Sequence, residues 1–127
     1  MITEAKAKLW SKLGSRATYG QAMMSLPEKH PKTLAMSADL GNSSGLSPFI
    51  RKYPEKFINI GIAEQNMIGV AAGLAKSGFN VFAYSIAPFI YARPFEQIRN
   101  DIMFHNLPVC LVGNGGGYAY AYMGPTH

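Results

Sequence analysis

Ile60-Gly61-Ile62-Ala63-Glu64-Gln65-Asn66 is the stretch that decides the fold, because an apolar strand ends there and an amphipathic helix begins. Upstream, Phe57-Ile58-Asn59-Ile60 reads as a short buried strand. Downstream, Met67, Val70, Ala71 and Leu74 fall at i, i+3, i+4 and i+7, so one helix face is apolar and packs on a sheet. Glu64 then stands in the first helical turn, near the strand's carboxyl end, the edge where open α/β sheets bind ligands. A first-turn acid is favoured by the helix macrodipole alone, by roughly 0.3–1 kcal/mol, with no function attached. Glu64 is nevertheless the only acid between Glu55 and Glu96, and glycine, alanine and isoleucine surround it. Apolar surroundings disfavour the charged form of a carboxyl and make it a candidate proton donor or acceptor.

Outward from this junction, helix and strand alternate. A helix is expected from about Tyr19 to Lys29, with Tyr19, Ala22, Met23 and Leu26 on one face and Pro31 marking its end. Thr33-Leu34-Ala35-Met36 reads as a strand delivering Ser37-Ala38-Asp39-Leu40 and the polar loop Gly41 to Gly45. Asn80 to Tyr84 and Val109 to Val112 read as further strands, with a helix from Pro94 to His105 between them carrying Phe95, Ile98 and Ile102 on one face. The alternation predicts an α/β fold: three layers, doubly wound, with a mostly parallel sheet and helices on both faces. Residues 1–127 read as a single domain without repeat or linker.

Composition narrows the function classes. Hydrophobic residues make up 48% and charged residues 15%, which excludes disorder and suggests that a partner covers some apolar surface. The net charge of +5 is spread along the chain, six Lys and Arg before Thr33 and six after it, so no basic stripe for nucleic acid emerges. No stretch has the length of a membrane span, the N-terminus does not resemble a secretory signal, and a soluble cytoplasmic protein is expected. The single Cys110, within Val109-Cys110-Leu111-Val112, reads as a buried structural thiol. No His has metal-ligand spacing to another His or Cys, so no protein metal site is expected. Gly113 to Gly117 lacks the spacing of a phosphate-binding loop and reads as a flexible turn, followed by Tyr118 to Tyr122 as a loop over the site.

Several other residues have ordinary structural readings when taken singly. Asp39 and Ser43 have the chemistry of caps and turns. Phe89 suits a core, Arg16 a solvated surface, and His127 a free terminus.

Taken together, these residues resemble the pyrimidine-binding domain of transketolase-like thiamine diphosphate enzymes. The resemblance rests on Phe57 to Met67 with Gly69-Val70-Ala71-Ala72-Gly73-Leu74-Ala75, on Ser37-Ala38-Asp39-Leu40, on Arg93-Pro94-Phe95-Glu96-Gln97-Ile98-Arg99, and on Gly124-Pro125-Thr126-His127, in the family's order. It implies that Glu64 hydrogen-bonds N1′ of the cofactor's aminopyrimidine, favouring the tautomer whose 4′-imino group deprotonates the thiazolium. It implies further that Phe89 stacks on the pyrimidine, that Ile62 and Asp39 lie near the cofactor, that Arg16 and Ser43 hold a sugar phosphate, and that His127 lines the substrate channel, with a catalytic part. The implied activity is transfer of a two-carbon ketol unit between sugars or sugar phosphates.

Departures from the family pattern are equally specific. Tyr122-Met123 stands where transketolases carry a Glu-Asp pair, and Ile86 and Ala92 replace aromatic residues flanking the stacking position, changes that alter which acceptor fits. The GDG motif and downstream Asn that hold Mg²⁺ in the family's diphosphate-binding domain do not occur here, nor does its C-terminal domain. The resemblance therefore implies half a site, with Mg²⁺ held by a diphosphate-binding partner subunit or domain, in a homodimer or heterotetramer. The alternative is a non-catalytic dimerisation or assembly domain, or a truncated fragment, that retains the fold.

Overall fold

The computed structural model describes residues 2–127. Its elements in chain order are α1 (Glu4–Trp10), α2 (Gly14–Met24), α3 (Leu26–Lys29), β1 (Thr33–Ser37), α4 (Ser47–Lys52), β2 (Phe57–Asn59), α5 (Glu64–Lys76), β3 (Asn80–Ile86), α6 (Ala87–Tyr91), α7 (Phe95–Gln97) and β4 (Val109–Asn114). A 3₁₀ turn at Pro54–Lys56, a π-helical segment at Ile98–Met103 and a 3₁₀ segment at Ala121–Thr126 complete the chain.

The four strands form one parallel sheet in the order β2-β1-β3-β4. Parallel pairing places helices on the faces, and the period-2 alternation of each strand divides its side chains between two cores. Met36, Val81 and Ala83 point to the face covered by Met67, Ala71 and Ala75 of α5. Ala35 and Phe82 point to the opposite face, where Met23 of α2 and Phe49 of α4 pack. The chain leaves β1 toward β2, then crosses back over β1 through α5 to reach β3. The winding therefore reverses between β1 and β3, and the carboxyl ends of these two strands flank the crevice where such sheets bind ligands.

Close approach explains one glycine pair. A Cβ on Gly20 would collide with the Gly45 carbonyl oxygen, and one on Gly45 would collide with the Arg16 carbonyl oxygen. Only glycines let α2 seat against the loop that follows β1.

The apolar face of α5 is broader than the sequence period indicates. Glu64, Met67, Ile68, Ala71, Ala72 and Ala75 are buried, whereas Val70 and Leu74 are half-buried at its edge. Ile68 and Ala72 pack on Ile102, so α5 is wedged between the sheet and the π-helical segment.

Three expectations are corrected. The helix expected from Tyr19 to Lys29 begins earlier, at Gly14, and breaks at Ser25. Pro27 has no N–H to donate to the Met23 carbonyl, and in a continuous helix its ring would clash with that carbonyl. The helix expected from Pro94 to His105 is one α-turn followed by a π-helical segment, with Phe104 and Leu107 donating to carbonyls five residues back, and Phe95 faces solvent while Ile102 is buried. Cys110 is exposed rather than buried. It points to the α2 face of β4, and β4 is an edge strand, where Leu26, Phe82, Pro108 and Cys110 line an open cavity of about 460 Å³. Among the described residues no helix is long and apolar enough to cross a membrane.

Candidate functional site

Glu64 is the first residue of α5 and shares the helix face of Met67, Ile68 and Ala71, so its side chain is directed at the sheet. Only 5% of it is exposed. Gly61, at φ +77°, turns the chain between β2 and α5 in a conformation that glycine adopts without strain. Ala63 provides no side-chain cap, so the carboxylate lies at an uncapped helix N-terminus, where a negative charge is favoured.

The surroundings of Glu64 are more polar than its sequence neighbours suggest. One Nη of Arg93 donates to both carboxylate oxygens, at 3.2 and 3.1 Å, and the Ser85 hydroxyl donates to one of them at 3.3 Å. Ser85 is fully buried on β3, whereas the Arg93 side chain is 47% exposed. The Arg93 guanidinium also lies over the Phe89 ring, 3.7 Å from its centroid. Arg93 sits in the short turn between α6 and α7, and its carbonyl accepts a 3.2 Å hydrogen bond from Gln65 Nε2. Ile62, Ala63, Glu64, Gln65, Asn66 and Arg93 line an open cavity of about 500 Å³.

Contacts extend from Phe89 across the carboxyl ends of β3 and β4. The His127 imidazole meets the Phe89 ring edge-to-face at 5.0 Å, and the Tyr120 ring meets His127 at 5.9 Å. Tyr120 in turn accepts a hydrogen bond on its hydroxyl from Arg16, whose guanidinium carbon is 5.7 Å from the Tyr120 ring. Ser15, Arg16, Asn114, Gly115 and Tyr120 line a second cavity of about 360 Å³. Gly113 and Asn114 belong to β4, so the flexible turn expected from Gly113 begins only at Gly115. Of the tyrosines expected to cover the site, Tyr120 does turn inward, while Tyr118 and Tyr122 are exposed.

The structure thus brings Glu64, Phe89, His127 and Arg16 into one chain of contacts through Arg93 and Tyr120. Ile62 is 77% exposed and lies on the rim of the cavity that holds Glu64. Asp39 lies at the carboxyl end of β1 with φ +60°, an uncommon conformation for a residue other than glycine. Asn59 holds it there: its Nδ2 donates to the Asp39 carboxylate at 3.0 Å, and its Oδ1 accepts from the backbone N–H groups of Asp39 at 3.0 Å and Gly61 at 3.1 Å. One side chain thereby couples the loop after β1 to the turn that delivers Glu64. Ser43 is exposed and donates to the Leu40 carbonyl, so its hydroxyl serves its own loop, whose Gly45 approaches the Arg16 backbone.

Arg93, Ser85 and Asn59 escape a reading of the sequence as site residues, and Tyr120 is foreseen only as part of a covering loop. For Arg93 a signal existed. It is the only basic residue between Lys76 and Arg99, and it follows Phe89 by four positions, the spacing of side-chain neighbours on a helical turn. Ser85 carries no comparable local sign.

Residues 11–127 match the family described as the transketolase pyrimidine-binding domain. A candidate transketolase C-terminal section from Methanocaldococcus jannaschii is 40% identical over 114 residues, covering 90% of this chain and 36% of the relative. One subunit of the apulose-4-phosphate transketolase of Phocaeicola vulgatus is 34% identical over 115 residues, covering 91% of this chain and 37% of the relative. A solved structure described as a split-gene transketolase in an inactive β4 tetramer superposes with a TM-score of 0.68 at 44% identity, covering 75% of this chain and 32% of that one. The chain spans about a third of the length of these relatives.

Proposed function

This chain belongs to the transketolase pyrimidine-binding domain family, and we propose that it supplies the aminopyrimidine half of a thiamine diphosphate site in an enzyme that transfers a two-carbon ketol unit between sugars or sugar phosphates. The observation that carries this reading is Glu64: a carboxylate 5% exposed, at the reversal point of a parallel sheet, opening onto a cavity large enough for a small ring.

The residues present fit such a group. Glu64 offers two acceptor oxygens at a fixed position, with Ser85 behind one of them. A ring nitrogen that hydrogen-bonds this carboxylate shares its proton there, and shielding from water strengthens the bond. Phe89 offers an aromatic face beside it, and Ile62 an apolar rim. Asp39, on its strained backbone, presents a second carboxylate at the edge of the same crevice. The bound cofactor supplies the electron sink needed to break and form a carbon–carbon bond next to a carbonyl. His127 meets the Phe89 ring on the side that leads toward Tyr120 and Arg16 and is assigned to the sugar hydroxyls. Arg16, on the wall of the second cavity, and Ser43 in the adjoining loop are assigned to a sugar phosphate.

Mg²⁺ and the diphosphate fall to a partner chain or domain. The solved split-gene relative is described as inactive in its β4 form, which supports a requirement for a second kind of subunit. Calorimetry of thiamine diphosphate and Mg²⁺ binding to the chain paired with a diphosphate-binding partner tests the assignment. Glu64→Ala is expected to abolish cofactor-dependent ketol transfer, and equal cofactor activation of both forms overturns the reading. The chain alone is expected to give no turnover.

A further inference from the structure

Arg93 occupies the two features that an aminopyrimidine needs. Its guanidinium bonds both oxygens of Glu64 and lies over the Phe89 ring, 3.7 Å from its centroid, so the face of Phe89 it covers is the one turned toward the carboxylate. A ring that stacks on that face while bonding that carboxylate must stand in the same space. The mimicry is chemical as well as steric, because a guanidinium is planar, donates N–H groups from its edge and stacks on aromatic faces, as an aminopyrimidine does.

On the reading of the site given above, we propose that Arg93 is a latch on the pyrimidine slot, a positioning residue that holds Glu64 and Phe89 in place without cofactor and must swing out before the ring binds. Glu64 cannot yield: it is buried and rooted in the first turn of α5. The backbone of Arg93 cannot yield either, being tied to Gln65 and followed by the buried Pro94. The Arg93 side chain, half in solvent, is the movable part, and rotation about its own bonds opens the slot. The closed latch protects a buried carboxylate from standing unpaired. It also lowers apparent cofactor affinity by the fraction of molecules in which the slot is open.

Removing the latch therefore tightens binding, which is the direction that damage to a site does not produce. Calorimetric titrations of the chain with 4-amino-5-hydroxymethyl-2-methylpyrimidine, and with thiamine diphosphate and Mg²⁺, are to be run on wild type, Arg93→Met, Arg93→Lys, Glu64→Ala and the double variant Glu64→Ala/Arg93→Met. Arg93→Met is expected to bind about tenfold more tightly than wild type, as when a slot open in about a tenth of molecules becomes fully open. Arg93→Lys, which keeps the charge but loses the planar fork, is expected to fall between them. In the wild type, NMR signals of the Arg93 guanidinium, shifted by the Phe89 ring, are expected to move toward free-arginine positions as the pyrimidine is added. Wild-type or weaker affinity in Arg93→Met, with binding still lost in Glu64→Ala, overturns the latch while leaving the pyrimidine site intact. Equal binding by Arg93→Met and the double variant, or none by any form, overturns the pyrimidine site itself and the latch with it.

Discussion

The pairing of Glu64 with Arg93 can be weighed by a double-mutant cycle that requires no ligand. Removing one partner of a fully buried ion pair costs about 3–5 kcal/mol, whereas an exposed pair contributes about 0–1 kcal/mol. Here the carboxylate is 5% exposed and the arginine side chain 47%, so Arg93→Met falls between these limits, at about 1–3 kcal/mol. About 0.5–1 kcal/mol of that belongs to stacking on Phe89 and remains when the acid is neutralised. Glu64→Gln keeps shape and a hydrogen-bonding carbonyl while deleting the charge, so the coupling left between the two sites is about 1–2 kcal/mol. Urea denaturation of wild type, both single variants and the double variant measures it, with free energies taken by linear extrapolation. At this chain length each kcal/mol moves the thermal midpoint by roughly 3–5 °C, which gives an independent check. Effects that add to within about 0.5 kcal/mol would show that the two groups do not pair in solution and would remove the basis of the latch.

Three further outcomes are expected. Asn59→Ala, which deletes the bonds to Asp39 and Gly61, lowers stability by about 1–2 kcal/mol and speeds hydrogen exchange at both backbone amides, while unchanged exchange at Gly61 refutes the coupling of the two loops. Phe49→Ala, which empties a fully buried ring site between α4 and the sheet, costs about 3–5 kcal/mol in urea denaturation, and a loss below about 1 kcal/mol contradicts the packing of that face. Stability also falls at alkaline pH. Burial raises the pKa values of Tyr19 and Tyr84 above their ordinary value of 10.0, and partial desolvation against the wall of its open cavity raises that of the otherwise exposed Cys110 above 9.0. The unfolded chain therefore loses these protons first, and stability that is intact below about pH 9 declines as pH rises through the ordinary values toward the folded ones. Because the Tyr19 hydroxyl is buried without a hydrogen-bond partner among the described residues, Tyr19→Phe is expected to match or exceed wild-type stability and to flatten the alkaline decline; an unchanged decline excludes Tyr19 as its main source.

Much of the architecture was legible because it rests on local periods. The run from Phe57 to Leu74 changes from strand to helix at a glycine, and the structure places β2, the Gly61 turn and α5 along it in that order. The structure departs from the local period where that period is interrupted by something it does not encode. Pro27 breaks the first long helix through a missing donor, and the π-helical segment after Gln97 follows from how Ile98 and Ile102 pack against Ile68 and Ala72. Cys110 sits in an apolar run and is nevertheless exposed, because burial of a strand residue depends on whether a helix covers its face, and β4 lies at one edge of the sheet.

The sequence by itself determined the alternation of helices and strands, the parallel α/β class and the position of Glu64 at a strand-to-helix junction, since each depends on residues within a few positions of one another. Only the tertiary structure decided what Glu64 touches. Ser85 lies 21 positions away and Arg93 lies 29, and Arg16 meets Tyr120 across 104. Those contacts exist because the strands assemble in the order β2-β1-β3-β4, which brings the ends of β1, β3 and β4 together at one edge. The free energy that selects this order is distributed over two cores, one on each face of the sheet, so no single stretch of sequence reveals that the isolated acid has an arginine over it.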